Sequence, residues 1–216
     1  MQISVSTNPP KQAELIDYLK SVSSLNVDYI HLDIMDGILV EQKTFDADIL
    51  PTIQECSNLP IDAHLMVYNP QDEYKNYLKT GVKNISVHYE CFPDDFALVE
   101  TLEDIRRHGI KASVAVKIET PIDDFLPLLR YCDNVLVMSV KIGKSGQKFD
   151  NSAYNKIARI KNFIDNFHLK TTIEVDGGVN EENIDNLKLL GVTNVVVGGA
   201  LYNSSNKAQT ISKLKE

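Results

Sequence analysis

Short apolar runs rich in β-branched residues alternate along the chain with longer stretches of amphipathic, helical spacing. The runs fall at residues 2–6, 29–32, 61–67, 84–87, 111–116, 134–140, 171–175 and 194–197, and each predicts a strand. Between them the spacing predicts helices at 11–23, 47–56, from Pro70 onward, and at 94–108, 153–166 and 181–190. Pro70 suits a first helical position, because proline lacks the N–H that goes unpaired there. The runs are apolar without strict alternation, as expected for parallel strands covered on both faces. Gly81, Gly109 and Gly191 each stand between a helix and the next strand, where a left-handed C-cap favours glycine. Eight strand-then-helix units predict an α/β fold, a single (β/α)8 TIM barrel over residues 1–216, with a doubly wound open sheet as the alternative.

Composition narrows the function classes. A length of 216 residues with 43% hydrophobic residues fits one soluble domain, a little short of the roughly 250 residues of a typical barrel. The net charge of -8 argues against nonspecific nucleic-acid binding, which needs clustered Lys and Arg, but leaves room for a local anion site. The three cysteines, Cys56, Cys91 and Cys132, form no CxxC pair and read as free thiols in a reducing cytoplasm. The first residues lack the pattern of a signal peptide, and no apolar run approaches the ~20 residues of a membrane span. Neither a membrane nor a nucleic acid is therefore expected as a partner.

In a barrel the chemistry sits at the C-terminal ends of the strands. There the sequence places His31 and Asp33 two residues apart, on one side of an extended strand, and His64 and Met66 with the same spacing on the next. Asp176 arrives from the seventh strand. Two imidazoles and two carboxylates converging on one point suit a divalent cation: zinc first, with iron, manganese and cobalt also compatible. The competing roles are core histidines and, for Asp176, capping of the following helix. Met35, Met66 and Met138 all fall near strand ends, as core filling or as a dry wall around a reacting centre. Glycines cluster after the last three strands: Gly143-Lys144-Ser145-Gly146, Gly177-Gly178 and Gly198-Gly199. They read as tight turns or, taken together, as a backbone cradle for phosphate. Lys141 and Lys144 add positive charge there or are simply solvated.

The segments HLDIMDG, DAHLMV, VLVMSVKIGKSGQKF and IEVDGGV resemble the signatures of the ribulose-phosphate 3-epimerase family. The resemblance runs from Ser6 to about Tyr202. It implies a bound divalent cation held by His31, Asp33, His64 and Asp176, with Asp33 and Asp176 as the acid/base pair and His64 also at the substrate. Ser6 matches the family's substrate-contacting serine, and Met35, Met66 and Met138 match its active-site methionines. It implies a homo-oligomer, and an isomerase of the pentose phosphate pathway acting on D-ribulose 5-phosphate by proton removal beside a carbonyl and return on the opposite face. The alternatives are the same chemistry on another ketose phosphate, such as D-allulose 6-phosphate, and a non-catalytic sugar-phosphate binder. A decarboxylase of the D-x-K-x-x-D type is disfavoured, since Ile34-Met35-Asp36 follow Asp33.

The outer loops depart from the family's pattern. Gly37 is followed by Ile38-Leu39-Val40-Glu41 instead of H-F-V-P, and the loop after the fifth strand reads Lys117-Ile118-Glu119-Thr120 instead of N-P-x-T or K-P-G-T. The usual P-G-F-x-G is Ile142-Gly143-Lys144-Ser145-Gly146, and the usual S-G-S/T is Val197-Gly198-Gly199.

Overall fold

Eight parallel strands close into a barrel in chain order: β1 (Gln2–Ser6), β2 (Tyr29–Met35), β3 (Ile61–Met66), β4 (Asn84–His88), β5 (Lys111–Val116), β6 (Asn134–Met138), β7 (Thr172–Asp176) and β8 (Asn194–Val197). Closure comes from β1 pairing with β8, Val5 opposite Val197. The computed structural model describes the backbone of residues 1–216 and every side chain except that of Gln12. The open-sheet alternative is excluded by this closure. No helix is long and apolar enough to cross a membrane.

The strands alternate more strictly than their apolar character suggests. Ile3 and Val5, Leu32 and Ile34, Ala63 and Leu65, Ile85 and Val87, Val114 and Val116, Val135 and Val137, Ile173 and Val175, and Val195 and Val197 all join the main core between barrel and helices. The residues between them point inward. On β1 to β4 and on β7 those inward positions carry Ser4, Ser6, His31, Asp33, Asp62, His64, Asn84, Ser86, His88, Glu174 and Asp176. Opposite them, Ala115, Leu136, Met138, Val140 and Val196 form a second, smaller apolar cluster inside the barrel. The barrel interior thus has a polar side and an apolar side, and the polar side is buried apart from Asp176, which is half-buried at the mouth.

The helices that cover the barrel are α1 (Leu15–Ser23), α2 (Leu50–Cys56), α3 (Pro70–Glu73), α4 (Asp95–Arg107), α5 (Ile122–Phe125), α6 (Ser152–Asn166), α7 (Ile184–Leu189), α8 (Gly199–Tyr202) and α9 (Lys207–Lys215). Pro70 opens α3 as the sequence predicts, and Asp94 caps α4 by accepting the Ala97 N–H at 2.9 Å. Several predicted helices begin or end in 3-10 turns, among them Gln12–Glu14 before α1 and Tyr74–Tyr77 after α3.

Two glycines separate the cost of backbone conformation from that of crowding. Gly109 has φ +75 and open space where a Cβ would stand, whereas Gly178 has φ +61 and a Cβ there would lie 2.3 Å from the Phe149 nitrogen. Gly109→Ala should cost about 1–2 kcal/mol, the penalty of the left-handed region. Gly178→Ala should lose a further ~1–3 kcal/mol, because main chain has to move. Calorimetric melting of both variants checks this, and equal losses would contradict the crowding argument.

Candidate active site

The inward positions at the C-terminal end of β2, β3, β6 and β7 meet at one point. Parallel register sets Asp33 opposite His64, Met35 opposite Met66, and Met138 opposite Asp176. His64 Nδ1 then lies 3.4 Å from Asp33 Oδ1, 3.3 Å from His31 Nε2 and 3.9 Å from Asp176 Oδ2. One ligand atom from each of His31, Asp33, His64 and Asp176 falls within 4.8 Å of all the others. Asp33 lies inside β2 instead of after it, because the strand runs to Met35, three residues beyond its predicted end. Asp176 does not cap the following helix: α7 starts at Ile184, with Asn183 before it.

The strand ends that carry these groups are fixed from behind. Ser6 Oγ donates to Asp33 Oδ2 at 2.7 Å, and Thr7 Oγ1 accepts the Asp33 N–H at 3.1 Å. Thr44 Oγ1 donates to the Asp33 carbonyl at 2.7 Å and accepts the Met35 N–H at 2.9 Å. His31 turns its Nδ1 to Asp62 Oδ2 at 2.8 Å, and the other Asp62 oxygen accepts from Asn84 at 2.6 Å. Glu174 lies in the same layer, accepting from Asn134 at 2.9 Å and Asn194 at 2.8 Å. Ser139 Oγ donates to the Asp176 carbonyl at 2.8 Å, tying the end of β7 to the chain leaving β6.

The electrostatics separate the two aspartates. Burial and the negative charge of Asp33 push the Asp176 carboxyl up to about 7. Burial also opposes ionisation of Asp33, but His64, His31 and Ser6 outweigh it and hold this carboxyl below its ordinary value. Burial drives His64 down to about 4. For His31 burial is outweighed by Asp62, Asp33 and Asp176, which raise it well above its ordinary value. Burial and the Asp62 charge likewise lift Glu174 well up. Among the described residues no Lys or Arg pairs with Asp33 or Asp176. Two imidazole nitrogens and two carboxylate oxygens, with no Lys or Arg among them, fit a divalent cation.

Above this centre opens a cavity of about 1400 Å³. Ser6, Asp33, Met35, Met66, Met138, Asp176 and the loops after β6, β7 and β8 line it, with Gly143, Lys144, Ser145, Gly146, Gly177, Gly178, Gly198 and Gly199 all on its wall. His31 and His64 have no exposed surface and lie beneath it. The glycines allow close packing. A Cβ on Gly177 would sit 2.5 Å from Val140, and one on Gly143 would sit 2.7 Å from Val40. The loop after β6 is folded by Gln147, whose Nε2 donates to the Lys141 carbonyl at 2.6 Å and the Lys144 carbonyl at 2.8 Å. Lys141, Lys144 and Lys148 are exposed on this rim, with Glu181 and Glu182 also on the lining. Glu119 is exposed and stands outside the lining.

Sequence reading missed the second row: Asp62, Glu174, His88 and Glu90. Asp62 precedes His64 by two residues, as His31 precedes Asp33, and that repeat was the available signal. His88 and Glu90 share the same spacing, but the predicted strand stopped at Val87, one residue short of β4's end.

Comparison with known proteins covers the same barrel. The model of the "Ribulose-phosphate 3 epimerase family" matches residues 2–202. Relatives called ribulose-phosphate 3-epimerase include those of Bacillus subtilis, 34% identical over 94% of this chain and 93% of the relative, and of Aquifex aeolicus, 36% identical over 87% and 83%. That of Mycobacterium tuberculosis is 32% identical over 94% and 86%. Among solved structures, 3-hexulose-6-phosphate synthase from Salmonella typhimurium superposes with a TM-score of 0.73 at 16% identity, covering 99% of this chain and 96% of the other. The tryptophan synthase α-subunit of Pyrococcus furiosus gives 0.68 at 20%, covering 100% and 96%; at these identities the likeness is one of fold. With the family matched across nearly the whole barrel and relatives above 30% identity, the chain belongs to the ribulose-phosphate 3-epimerase family and is an isomerase.

Proposed function

We propose that this enzyme inverts carbon 3 of a ketose phosphate, converting D-ribulose 5-phosphate to D-xylulose 5-phosphate, as the names of its relatives suggest. The observation that carries the reading is the meeting of Asp33 from β2 and Asp176 from β7 at the floor of the cavity, both within 4 Å of His64 Nδ1. A hydrogen on carbon 3 is acidified by the neighbouring carbonyl at carbon 2. Asp33, ionised, takes that proton, and the electron pair moves to the carbonyl oxygen to give an enediolate. Asp176, protonated, returns a proton to the opposite face as the carbonyl reforms. Two carboxyl groups driven apart in pKa are suited to these opposite roles. Run backward, Asp176 is the acceptor and Asp33 the donor.

His31, Asp33, His64 and Asp176 would hold a divalent cation, zinc by preference for this donor set, with iron, manganese or cobalt as substitutes. When bound, it supplies Lewis-acid stabilisation of the charge that develops on oxygen. Met35, Met66 and Met138, each at most 2% exposed, keep water from the reacting carbon. Ser6 holds Asp33 and faces the cavity, in reach of the substrate. The phosphate lies at the glycines of the last three loops, with Lys144 and Ser145 on its outer side. The three free cysteines support a reducing, cytoplasmic setting. The cavity, at about 1400 Å³, also leaves room for a six-carbon substrate such as D-allulose 6-phosphate.

Asp33→Asn and Asp176→Asn should each lower epimerisation by about 10²–10⁴-fold. The surviving carboxylate should continue to exchange the carbon-3 hydrogen with D2O on its own face, so each variant exchanges one epimer and not the other. Metal content is measured alongside; loss of exchange with both epimers in metal-replete variants would contradict the two-base scheme. Stripping the enzyme with a chelator should abolish turnover, and zinc, manganese or cobalt should restore it. Assays of the pentulose and hexulose phosphates side by side identify the substrate, and full activity of the stripped enzyme would refute the metal reading.

A further inference from the structure

Behind His64 the barrel continues a buried chain of polar groups that the epimerisation scheme leaves without a role. His64 Nε2 lies 2.9 Å from His88 Nε2, and His88 Nδ1 lies 3.1 Å from Glu90 Oε2. The other Glu90 oxygen accepts the Lys117 N–H at 2.7 Å and a short hydrogen bond from Thr120 Oγ1. Lys156, from α6, donates to the carbonyls of Lys117 at 2.6 Å and Thr120 at 2.7 Å. The chain therefore runs from the reacting centre on β3, through β4, to the loop after β5. Both imidazoles have no exposed surface, so water cannot correct a misplaced proton.

The hydrogen-bond inventory of these groups, taken with the metal reading, fixes a direction. A 2.9 Å contact between two imidazole nitrogens needs a single proton between them, one ring donating and the other accepting. Glu90 is surrounded by donors and can only accept, so His88 presents N–H at Nδ1. A His64 that ligates through Nδ1 carries its proton at Nε2 and donates it to Nε2 of His88. The remaining nitrogen of His64, Nδ1, is left with its lone pair directed at Asp33 and Asp176. That is the form an imidazole needs in order to ligate a cation.

We propose that His88 and Glu90 are positioning residues that lock His64 in the Nε2–H tautomer, with Thr120 and Lys156 fastening the loop that holds Glu90. The inference rests on the metal reading above and extends it by naming the groups that set one ligand. His31 has a carboxylate, Asp62, directly behind it at 2.8 Å. His64 has its carboxylate one imidazole further away, and so depends on His88 to transmit the orientation.

The test uses the zinc-loaded enzyme, ¹⁵N-labelled at histidine, with zinc affinity measured by chelator competition. Nitrogen NMR should show His88 carrying one proton, on Nδ1, with Nε2 accepting a hydrogen bond. Glu90→Gln should weaken zinc binding by about 10–100-fold, the usual effect of losing a group behind a ligand, while the metal-free variant melts close to the parent. A His88 protonated on Nε2 or on both nitrogens in the parent enzyme would overturn the proposal, whatever the variant does. So would Glu90→Gln that binds zinc as tightly as the parent. A parent chain that takes up no zinc, manganese or cobalt would overturn the metal reading, and this inference with it.

Discussion

Two carboxylates and two imidazoles share a space under 5 Å across, buried and without a Lys or Arg in contact, and the rest of the molecule is arranged around that constraint. Like charges in a dry interior repel, and each buried polar group is costly unless paired. The barrel answers with supporting groups from other strands and loops. Ser6 and Thr7 hold Asp33, Asp62 holds His31, His88 stands behind His64, and Ser139 ties down the end of β7 at Asp176. Even so, one carboxyl, Asp176, is pushed up to about 7. A proton on Asp176 and a cation shared by the four groups both relieve this repulsion, and both suit a site that moves protons at carbon.

Parallel closure makes the arrangement reachable. All eight strands end at the same side, so groups far apart in sequence, such as Asp33 and Asp176, become neighbours through register alone. Outward residues supply the apolar core against the helices, which frees the inward ones for polar work. Below the centre, Asp62, Glu174, Asn84, Asn134, Asn194 and Ser4 form a hydrogen-bonded layer where many barrels place branched aliphatic side chains. The opposite wall of Ala115, Leu136 and Val196 lowers the local dielectric. Polarity on one side and hydrocarbon on the other hold the charged groups close while keeping water out.

Much of this was legible from the chain. The ends of β5 and β8 match their predicted ranges, since both strands are apolar runs bounded by turn residues. Gly81, Gly109 and Gly191 have the positive φ expected of C-caps. The four candidate ligands converge because a two-residue spacing survives in any strand whatever its exact register. The inward polar face was less legible. On β2, Asp33 broke the apolar run early and made the strand look shorter than it is. On β4 the same effect hid His88, and with it Glu90. Polar residues inside a barrel look, in sequence, like the end of a strand. The glycine pairs were read for what they offer a ligand. Their contacts at Val140 and Phe149 show a packing requirement that a linear reading does not contain.

In the proposed reaction Asp33 and Asp176 act on opposite faces of carbon 3. The most direct measurement is a single turnover of D-ribulose 5-phosphate by the metal-loaded enzyme in D2O, with the D-xylulose 5-phosphate analysed for deuterium. Deuterium is expected at carbon 3 of essentially every product molecule from the first turnover, because the proton delivered by Asp176 comes from solvent and the one removed stays on Asp33. Product that retains the original hydrogen at carbon 3 would mean that a single group carries the proton from face to face, and would contradict the proposed reaction.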